Sequence, residues 1–308
     1  MGRTGLILIT FFLFMCHGFS MSAQQDLPRT SQAVKLYESG DLVGAKEVIL
    51  DALQKEEEQN HPYTWCVKGF IFKEIYKTIE NKDRYSANRD VAIDALKTSI
   101  RLDTKKEYET TNLKALEFLA NTLYNDVVYL TRGLNEYNVD EPEKFYKRYQ
   151  TVWRLVEPNA DFTHKDVELY RVMAEGFNKI YKADPERNLV FFDKSASYYK
   201  KAIALKPDDT LANYNLAILY YNRGVFKIKK IGASTEIFEL IFIQDECIEL
   251  FKQSLPFMKK AHDLDPTRKE PLQGLRAIFK SLSEDQEELK YRTLLEQYIK
   301  EGVIQLED

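Results

Sequence analysis

Small and large apolar residues alternate at helical spacing in four segments of the chain. In each segment, a small residue is followed four positions later by a large apolar one. Another small residue comes three positions after that. This spacing places all three on one face of an α-helix, where the small residues let a second helix approach closely. The four segments begin at Ala45, Ala92, Ser195 and Ser254. The pattern predicts four helices, each packed against a neighbour.

The residues around these segments predict that the helices are paired. Pro207 and Pro266 follow the third and fourth segments, and proline ends a helix because it lacks an N–H and its ring clashes with the preceding turn. Other apolar stripes of helical spacing precede the segments, as at Leu169, Met173 and Phe177. No run of alternating polar and apolar residues indicates a β-strand. We therefore predict an all-α fold of about five to six antiparallel helix hairpins.

Several of these stretches match the pattern of a known repeat. The best-formed copy reads Ala33-x6-Gly40-Asp41-Leu42-x2-Ala45-x3-Ile49-x2-Ala52, and a later copy begins Tyr214-Asn215-Leu216-Ala217-x2-Tyr220-Tyr221-x2-Gly224. The pattern resembles the tetratricopeptide repeat (TPR), a unit of about 34 residues with two antiparallel helices. Insertions separate the copies, as in exported bacterial members of the family. The resemblance implies an α-solenoid of stacked hairpins, a TPR-like superhelix, over residues 24–308.

The largest insertion lies near residues 226–249. It contains Ile237, Phe238, Ile241 and Phe242, which we expect to dock on the stack or to form part of a groove. Pro256 suits the first turn of a helix, so we expect the next helix to start close to it. The highly charged segment 285–300 is expected to be a capping helix, because a terminal repeat needs a polar outer face.

The chain begins with a pattern typical of a secretory signal peptide. Arg3 precedes an apolar run over residues 6–14, and small residues follow, so cleavage is expected after Ala23. An uncleaved membrane anchor and a lipidated Cys16 remain alternatives. No later apolar run is long enough to span a bilayer, so we expect no integral membrane domain after cleavage. The signal peptide predicts an exported protein of the periplasm or cell envelope.

Composition gives no support for catalysis or for nucleic-acid binding. The 44 basic and 48 acidic residues are well mixed, without the basic stripe that nucleic acid requires. His61, His164 and His262 lie far apart, and the chain has neither metal-ligand spacing nor a glycine-rich phosphate loop. We therefore expect no enzyme activity, no cofactor and no metal. The acidic run 56–58 is expected on a solvated face.

Two cysteines would remain after signal cleavage. We expect Cys66 and Cys247 to be small buried apolar residues. A disulfide between them stays open, because spacing alone cannot place two cysteines together.

The resemblance also implies which residues would contact a partner. In the TPR family the first helix of each repeat lines a concave groove, while residues such as Phe72, Phe177, Tyr199 and Tyr220 would form the core. By the same correspondence the groove residues are Asn121, Tyr124, Arg171, Glu175, Asn178, Tyr214, Asn215, Ile218, Tyr221 and Asn222.

The resulting hypothesis is a non-enzymatic scaffold or assembly factor that binds another protein or a peptide segment in a bacterial envelope. The alternative is a small-ligand or glycan-binding envelope protein whose pocket includes the insertion near 226–249. Some TPR proteins clamp the terminal carboxylate of a chaperone with a lysine and an asparagine. The matching positions here are Thr30, Val34, Cys66 and Phe70. None of them is basic, which disfavours that function.

Overall fold

The computed structural model describes residues 27–304. This part of the chain contains thirteen α-helices and no β-strand. The predicted all-α class with antiparallel helix hairpins is therefore confirmed. The predicted signal peptide lies outside the described residues. The described residues divide into two compact units, one of residues 27–130 with 140–160 and one of residues 131–139 with 161–304.

Unit 1 contains three hairpins and one short helix. Its helices are α1 (Pro28–Glu38), α2 (Leu42–Ala52), α3 (Glu56–Gln59), α4 (Pro62–Glu74), α5 (Ala87–Leu102), α6 (Glu109–Arg132) and α7 (Glu141–Val156). A π-helical turn, Ile75–Ile79, continues α4.

Unit 2 contains the remaining three hairpins. Its helices are α8 (Thr163–Ala183), α9 (Leu189–Leu205), α10 (Thr210–Lys229), α11 (Ile237–Leu264), α12 (Lys269–Ser281) and α13 (Asp285–Lys300). The predicted core aromatics Phe177, Tyr199 and Tyr220 are buried, as Phe72 is in unit 1, which confirms their assignment to packing.

The small residues of the sequence pattern lie where two helices of one hairpin touch. A Cβ added to Gly69 would come within 2.5 Å of Cδ2 of Leu96. At this point α4 and α5 therefore pack too closely to accept a side chain on residue 69 unless Leu96 moves. The serines at small positions also bond across the hairpin. Ser195 Oγ donates to the Ala174 carbonyl at 2.8 Å, and Ser254 Oγ donates to the Ala217 carbonyl at 2.7 Å. These serines combine small size with a bond to the backbone of the preceding helix.

The insertion near 226–249 forms no separate element. It extends α10 to Lys229 and supplies the first half of α11, which begins at Ile237. The expectation that this helix starts near Pro256 is wrong, because Pro256 lies well inside α11. Its side chain is exposed, so the carbonyl of Lys252, which loses its helical N–H partner, lies on the solvent side. The hairpin therefore tolerates proline at this position.

Candidate functional site

The start of α11 exposes a continuous apolar surface. The side chains of Ile237, Phe238, Ile241 and Phe242 are 70%, 84%, 52% and 64% exposed, and that of Leu240 is 39% exposed. We call residues 237–242 the apolar arm. Monomeric proteins seldom expose large contiguous apolar patches unless the patch contacts another molecule. The arm is therefore the first candidate for a binding surface.

The helical register explains why the arm faces outward. Ile243, Cys247 and Phe251 follow on the opposite side of α11 and pack into the core of unit 2. The Cys247 thiol donates a hydrogen bond to the Gly224 carbonyl at 3.4 Å, which joins α11 to α10 at this level. Because this face is fixed inward, residues 238, 241 and 242 lie on the solvent side, followed one turn later by Asp245.

Some of the charged residues around the arm form ion pairs, and others do not. Lys227 pairs with Glu246 at 2.7 Å, and Lys230 pairs with Glu186 at 2.8 Å. Glu239 and Asp245 are exposed and form no ion pair with any residue in the described range. The apolar arm is therefore bordered by acidic groups that remain available to a partner.

A polar row joins the first helices of two neighbouring hairpins in unit 2. Nδ2 of Asn215 on α10 donates to Oε1 of Glu175 on α8 at 3.5 Å, and Nη1 of Arg171 pairs with Oδ2 of Asp209 at 3.4 Å. Tyr199 lies beneath the row. Burial raises the pKa of its hydroxyl, the Glu175 carboxylate raises it further, and a hydrogen bond with Asn215 opposes both. Tyr199 therefore remains a neutral hydroxyl at physiological pH.

Two groove candidates in unit 2 differ in accessibility. Asn222 is exposed, whereas Asn178 is half-buried. The Oδ1 atom of Asn178 and the Nε atom of Arg171 are buried and have no hydrogen-bond partner within residues 27–304. Buried polar groups are usually paired, so these two atoms mark places where a water or a ligand group would be stabilised.

The apolar groove candidates contribute to packing. Tyr214, Ile218 and Tyr221 are half-buried and pack against the core formed by α11, α12 and α13. The Tyr221 ring lies 5.4 Å from that of Phe251, and the Arg268 guanidinium lies 5.3 Å from the Tyr214 ring centroid. Substitutions at these positions would therefore disturb the fold as well as any bound partner.

The two groove candidates of unit 1 lie one turn apart on α6. Asn121 is exposed, and Tyr124 is half-buried with its ring 5.1 Å from that of Tyr149 on α7. Each of them belongs to unit 1, and the other eight candidates belong to unit 2.

The positions of the disfavoured chaperone clamp are all occupied by buried side chains. Thr30, Val34, Cys66 and Phe70 are at most 8% exposed. A ligand could not reach them without displacing the core of the first two hairpins.

The sequence pattern did not indicate a basic and aromatic cluster formed by α4, the loop that follows its π-helical turn, and α6. The Lys73 ammonium lies 4.3 Å from the Phe70 ring centroid and 5.8 Å from that of Phe118. Lys82 lies 6.0 Å from the same Phe118 ring. Phe118 is far from Lys73 in sequence, so only the packing of α4 against α6 reveals this cluster.

The last sequence expectations concern metal ligands, the acidic run 56–58 and the two cysteines. Between Leu27 and Ile304 no three histidines, cysteines or acidic residues are placed to hold a metal ion. The expectation of a solvated face is wrong for Glu58, which is 3% exposed. Cys66 and Cys247 are both buried and unbridged.

Comparisons with known proteins give no family. No family model matches the chain, and no curated protein matches it. Among solved structures, it is similar to PilW, a type IV pilus biogenesis factor (16% identity over 90% of this chain and 93% of that one, TM-score 0.34). It is also similar to the S. pombe nuclear import adaptor Nro1 (11% identity, 92% and 95% covered, TM-score 0.35).

A third similar structure is human IFIT1 with m7Gppp-AAAA (13% identity over 87% of this chain, TM-score 0.33). The chain spans 49% of the length of IFIT1. At such identities and TM-scores, these likenesses carry no argument about function.

No helix between Leu27 and Ile304 is both long and apolar enough to cross a bilayer.

Proposed function

We propose that this chain is a non-enzymatic scaffold that binds another protein, with the apolar arm of unit 2 as its main contact. The observation that carries the proposal is the exposure of Ile237, Phe238, Ile241 and Phe242 on one face of α11. Leaving such residues in water costs free energy that a bound partner would recover, at about 25 cal/mol for each Å² of apolar surface covered. Phe238 and Phe242, one helical turn apart, are well suited to anchor such a contact.

The partner surface that fits the arm best is an amphipathic helix. The exposed side chains of Ile237, Phe238, Ile241 and Phe242 share one face over about one and a half helical turns, which matches the apolar face of a second helix. Glu239 and Asp245 border this stripe and are free of ion pairs within the described residues. A partner helix with lysine or arginine beside its apolar face would complement both the shape and the charge of the arm.

The polar row provides a second contact in the same unit. The side chains of Glu175 and Asn215 meet across α8 and α10, and together they offer carboxylate and amide groups to a peptide backbone. The ten groove residues predicted from the TPR resemblance remain a prediction. Among those of unit 2, Glu175, Asn178 and Asn222 can be substituted with less damage to the core than Tyr214 or Tyr221.

We further propose that the scaffold acts in a bacterial cell envelope. The apolar run of residues 6–14 and the small residues before Ala23 support this location. Cell fractionation and the mass of the secreted chain test it. A chain beginning at Gln24 in the envelope fraction is expected, whereas a full-length chain in the cytoplasm would overturn the proposed location.

The small-ligand alternative receives no support from the insertion. In a closed pocket the apolar side chains of residues 226–249 would face inward, whereas those of the arm face solvent. A protein surface is therefore the better match for this segment.

Site-specific photo-crosslinking in cells that produce the chain tests the proposed function. A p-benzoylphenylalanine replaces Phe238 in one variant and Tyr137 in another. Tyr137 is an aromatic residue of unit 2 that is 88% exposed but lies outside the arm. We expect position 238 to capture one or two proteins that position 137 does not capture. Ile241→Asp in the same chain should abolish that adduct, because a buried carboxylate would oppose the apolar contact.

Three results would overturn the proposal. The first is the capture of the same proteins from positions 238 and 137. The second is an adduct with lipid, which would indicate that the arm contacts a membrane. The third is an adduct with a second copy of the chain alone, which would make the arm an oligomer interface.

A further inference from the structure

The lysine–aromatic cluster of unit 1 contains a half-buried cation whose charge is poorly compensated. The Lys73 ammonium faces the rings of Phe70 and Phe118 and forms no hydrogen bond or ion pair within residues 27–304. Ring faces attract cations, but more weakly than a directly paired carboxylate does at a desolvated site.

The one carboxylate that acts on Lys73 among the described residues is already engaged. Glu74 is adjacent in sequence, and its Oε1 atom pairs with Lys77 at 3.2 Å. Burial lowers the pKa of Lys73; Glu74 opposes this shift, and Lys77 adds to it. Lys73 therefore has no directly paired acidic residue among the described residues.

The backbone after α4 is shaped in a way that brings a second lysine to the same ring. The π-helical turn Ile75–Ile79 ends in a loop where Asn81 and Lys82 both have positive φ, 49° and 60°. Residues other than glycine adopt this conformation at an energetic cost, and π-helical turns and strained residues concentrate at functional sites. At the end of this segment the Lys82 ammonium lies 6.0 Å from the centroid of the Phe118 ring.

We propose that Phe70, Lys73, Lys82 and Phe118 form a binding site for a carboxylate group of an acidic peptide segment. A single carboxylate beside the Phe118 ring, which both ammonium groups approach, would replace the hydration that Lys73 loses on burial, and charge-assisted hydrogen bonds would hold it. The Phe118 ring would cover the aliphatic part of the bound side chain. Asn121, exposed on α6 one turn beyond Phe118, is placed to bond the peptide backbone.

The chemistry favours a peptide carboxylate over a nucleic acid. A nucleic acid presents a row of phosphates and needs a basic stripe, whereas the exposed Glu117 lies next to Phe118 on α6. The whole chain carries a net charge of −4, which adds no long-range attraction for a polyanion. The site therefore suits one anionic group at close range.

Fluorescence anisotropy with a fluorescein-labelled pentaglutamate peptide tests the site on the full chain. Lys73→Met keeps the length of the side chain and removes the charge, and Lys114→Met is the matched control on an exposed lysine of α6. We expect Lys73→Met to weaken peptide binding at least tenfold and Lys82→Met about threefold, while Lys114→Met leaves it unchanged. A pentaglutamine peptide should not bind.

A second readout uses the unsubstituted protein, so that a folding defect in a variant cannot decide the result. Lysines are acylated with a limiting amount of reagent, and each site is quantified by mass spectrometry with and without pentaglutamate. Selective protection of Lys73 and Lys82 is expected, with Lys114 unprotected. Uniform protection, no protection, or stronger protection by an oligouridylate than by pentaglutamate would overturn the proposal.

This inference rests on residues of unit 1 alone. The photo-crosslinking experiment at position 238 concerns unit 2. Either proposal can therefore fail while the other stands.

Discussion

The Glu58 carboxylate accepts two hydrogen bonds from Thr30, one from the backbone N–H and one from the hydroxyl, each at 2.7 Å. It also accepts the N–H of Arg29 at 3.1 Å. The first N–H groups of a helix have no partner within the helix. This buried carboxylate of α3 therefore caps the N-terminus of α1, although Glu58 and Thr30 are 28 residues apart in sequence.

We expect Glu58→Ala to lower the free energy of unfolding by about 1–3 kcal/mol, because the buried donors of α1 lose their acceptor. Urea unfolding and hydrogen exchange of the amides of α1 measure the effect. The control is Glu57→Ala, whose side chain is exposed and should change stability by less than about 0.5 kcal/mol. Equal effects of the two substitutions would contradict the capping role.

The second prediction concerns a buried ion pair in unit 1. Arg89 is fully buried, and its Nη1 atom lies 2.6 Å from Oδ2 of Asp126 and 3.2 Å from the hydroxyl of Tyr76. Asp126→Asn leaves the guanidinium without its counter-charge, so we expect a loss of about 3–5 kcal/mol in the free energy of unfolding. Asp94→Asn, an exposed change on α5, is the control. A loss below about 1 kcal/mol for Asp126→Asn would contradict the account.

Cys66 gives a prediction about chemical reactivity. Burial raises the pKa of its thiol to about 12, although Lys73 nearby favours the thiolate. Since the thiolate is the reactive form, alkylation by iodoacetamide at pH 8 should be at least about a hundredfold slower in the folded protein than in urea. Peptide mass spectrometry measures the rate at this residue. Rapid labelling of a protein that retains its helical circular dichroism would show that the thiol is accessible.

The fourth prediction is a pH dependence of unit 2. Burial lowers the pKa of His262, and Lys290 adds to this, whereas Asp263 opposes it. The unfolded chain therefore binds a proton at higher pH than the folded protein does. Stability should fall as the pH drops below about 6.5, the ordinary value for histidine.

Thermal unfolding at pH 7.5 and 5.5 measures this contribution. His262→Gln should reduce the difference in melting temperature between the two pH values, and His164→Gln, at an exposed position, should leave it unchanged. An unchanged difference in His262→Gln would contradict the role assigned to burial of this ring against Tyr291.

Local patterns in the sequence were sufficient to predict the helix pairs. Ala45, Ile49 and Ala52 repeat at helical spacing and are all fully buried, because close approach of two helices requires small residues beside a large one. The extent of α11 was not predictable in the same way. A proline normally marks a helix boundary, and only the position of Pro256 on the solvent side makes it acceptable within this helix.

The candidate surfaces were predictable only in part. The apolar residues of the arm were apparent in the sequence, but an apolar run ordinarily predicts burial, so their exposure required the structure. Lys73 and Phe118 are far apart in sequence and come together only through the packing of α4 against α6. The capping role of Glu58 was hidden for the same reason, since an acidic run looks like a solvated face.

The most direct test of the central claim is the affinity of the purified partner, once recovered through position 238, for three forms of the chain. Isothermal titration should give a dissociation constant at least about 30-fold weaker for Ile241→Asp than for the unsubstituted chain, as expected for a residue at the centre of an interface. Val190→Asp, a matched change at an exposed apolar position of α9, should stay within about twofold of the unsubstituted chain. Equal affinities for the two variants would contradict the claim that the apolar arm binds the partner.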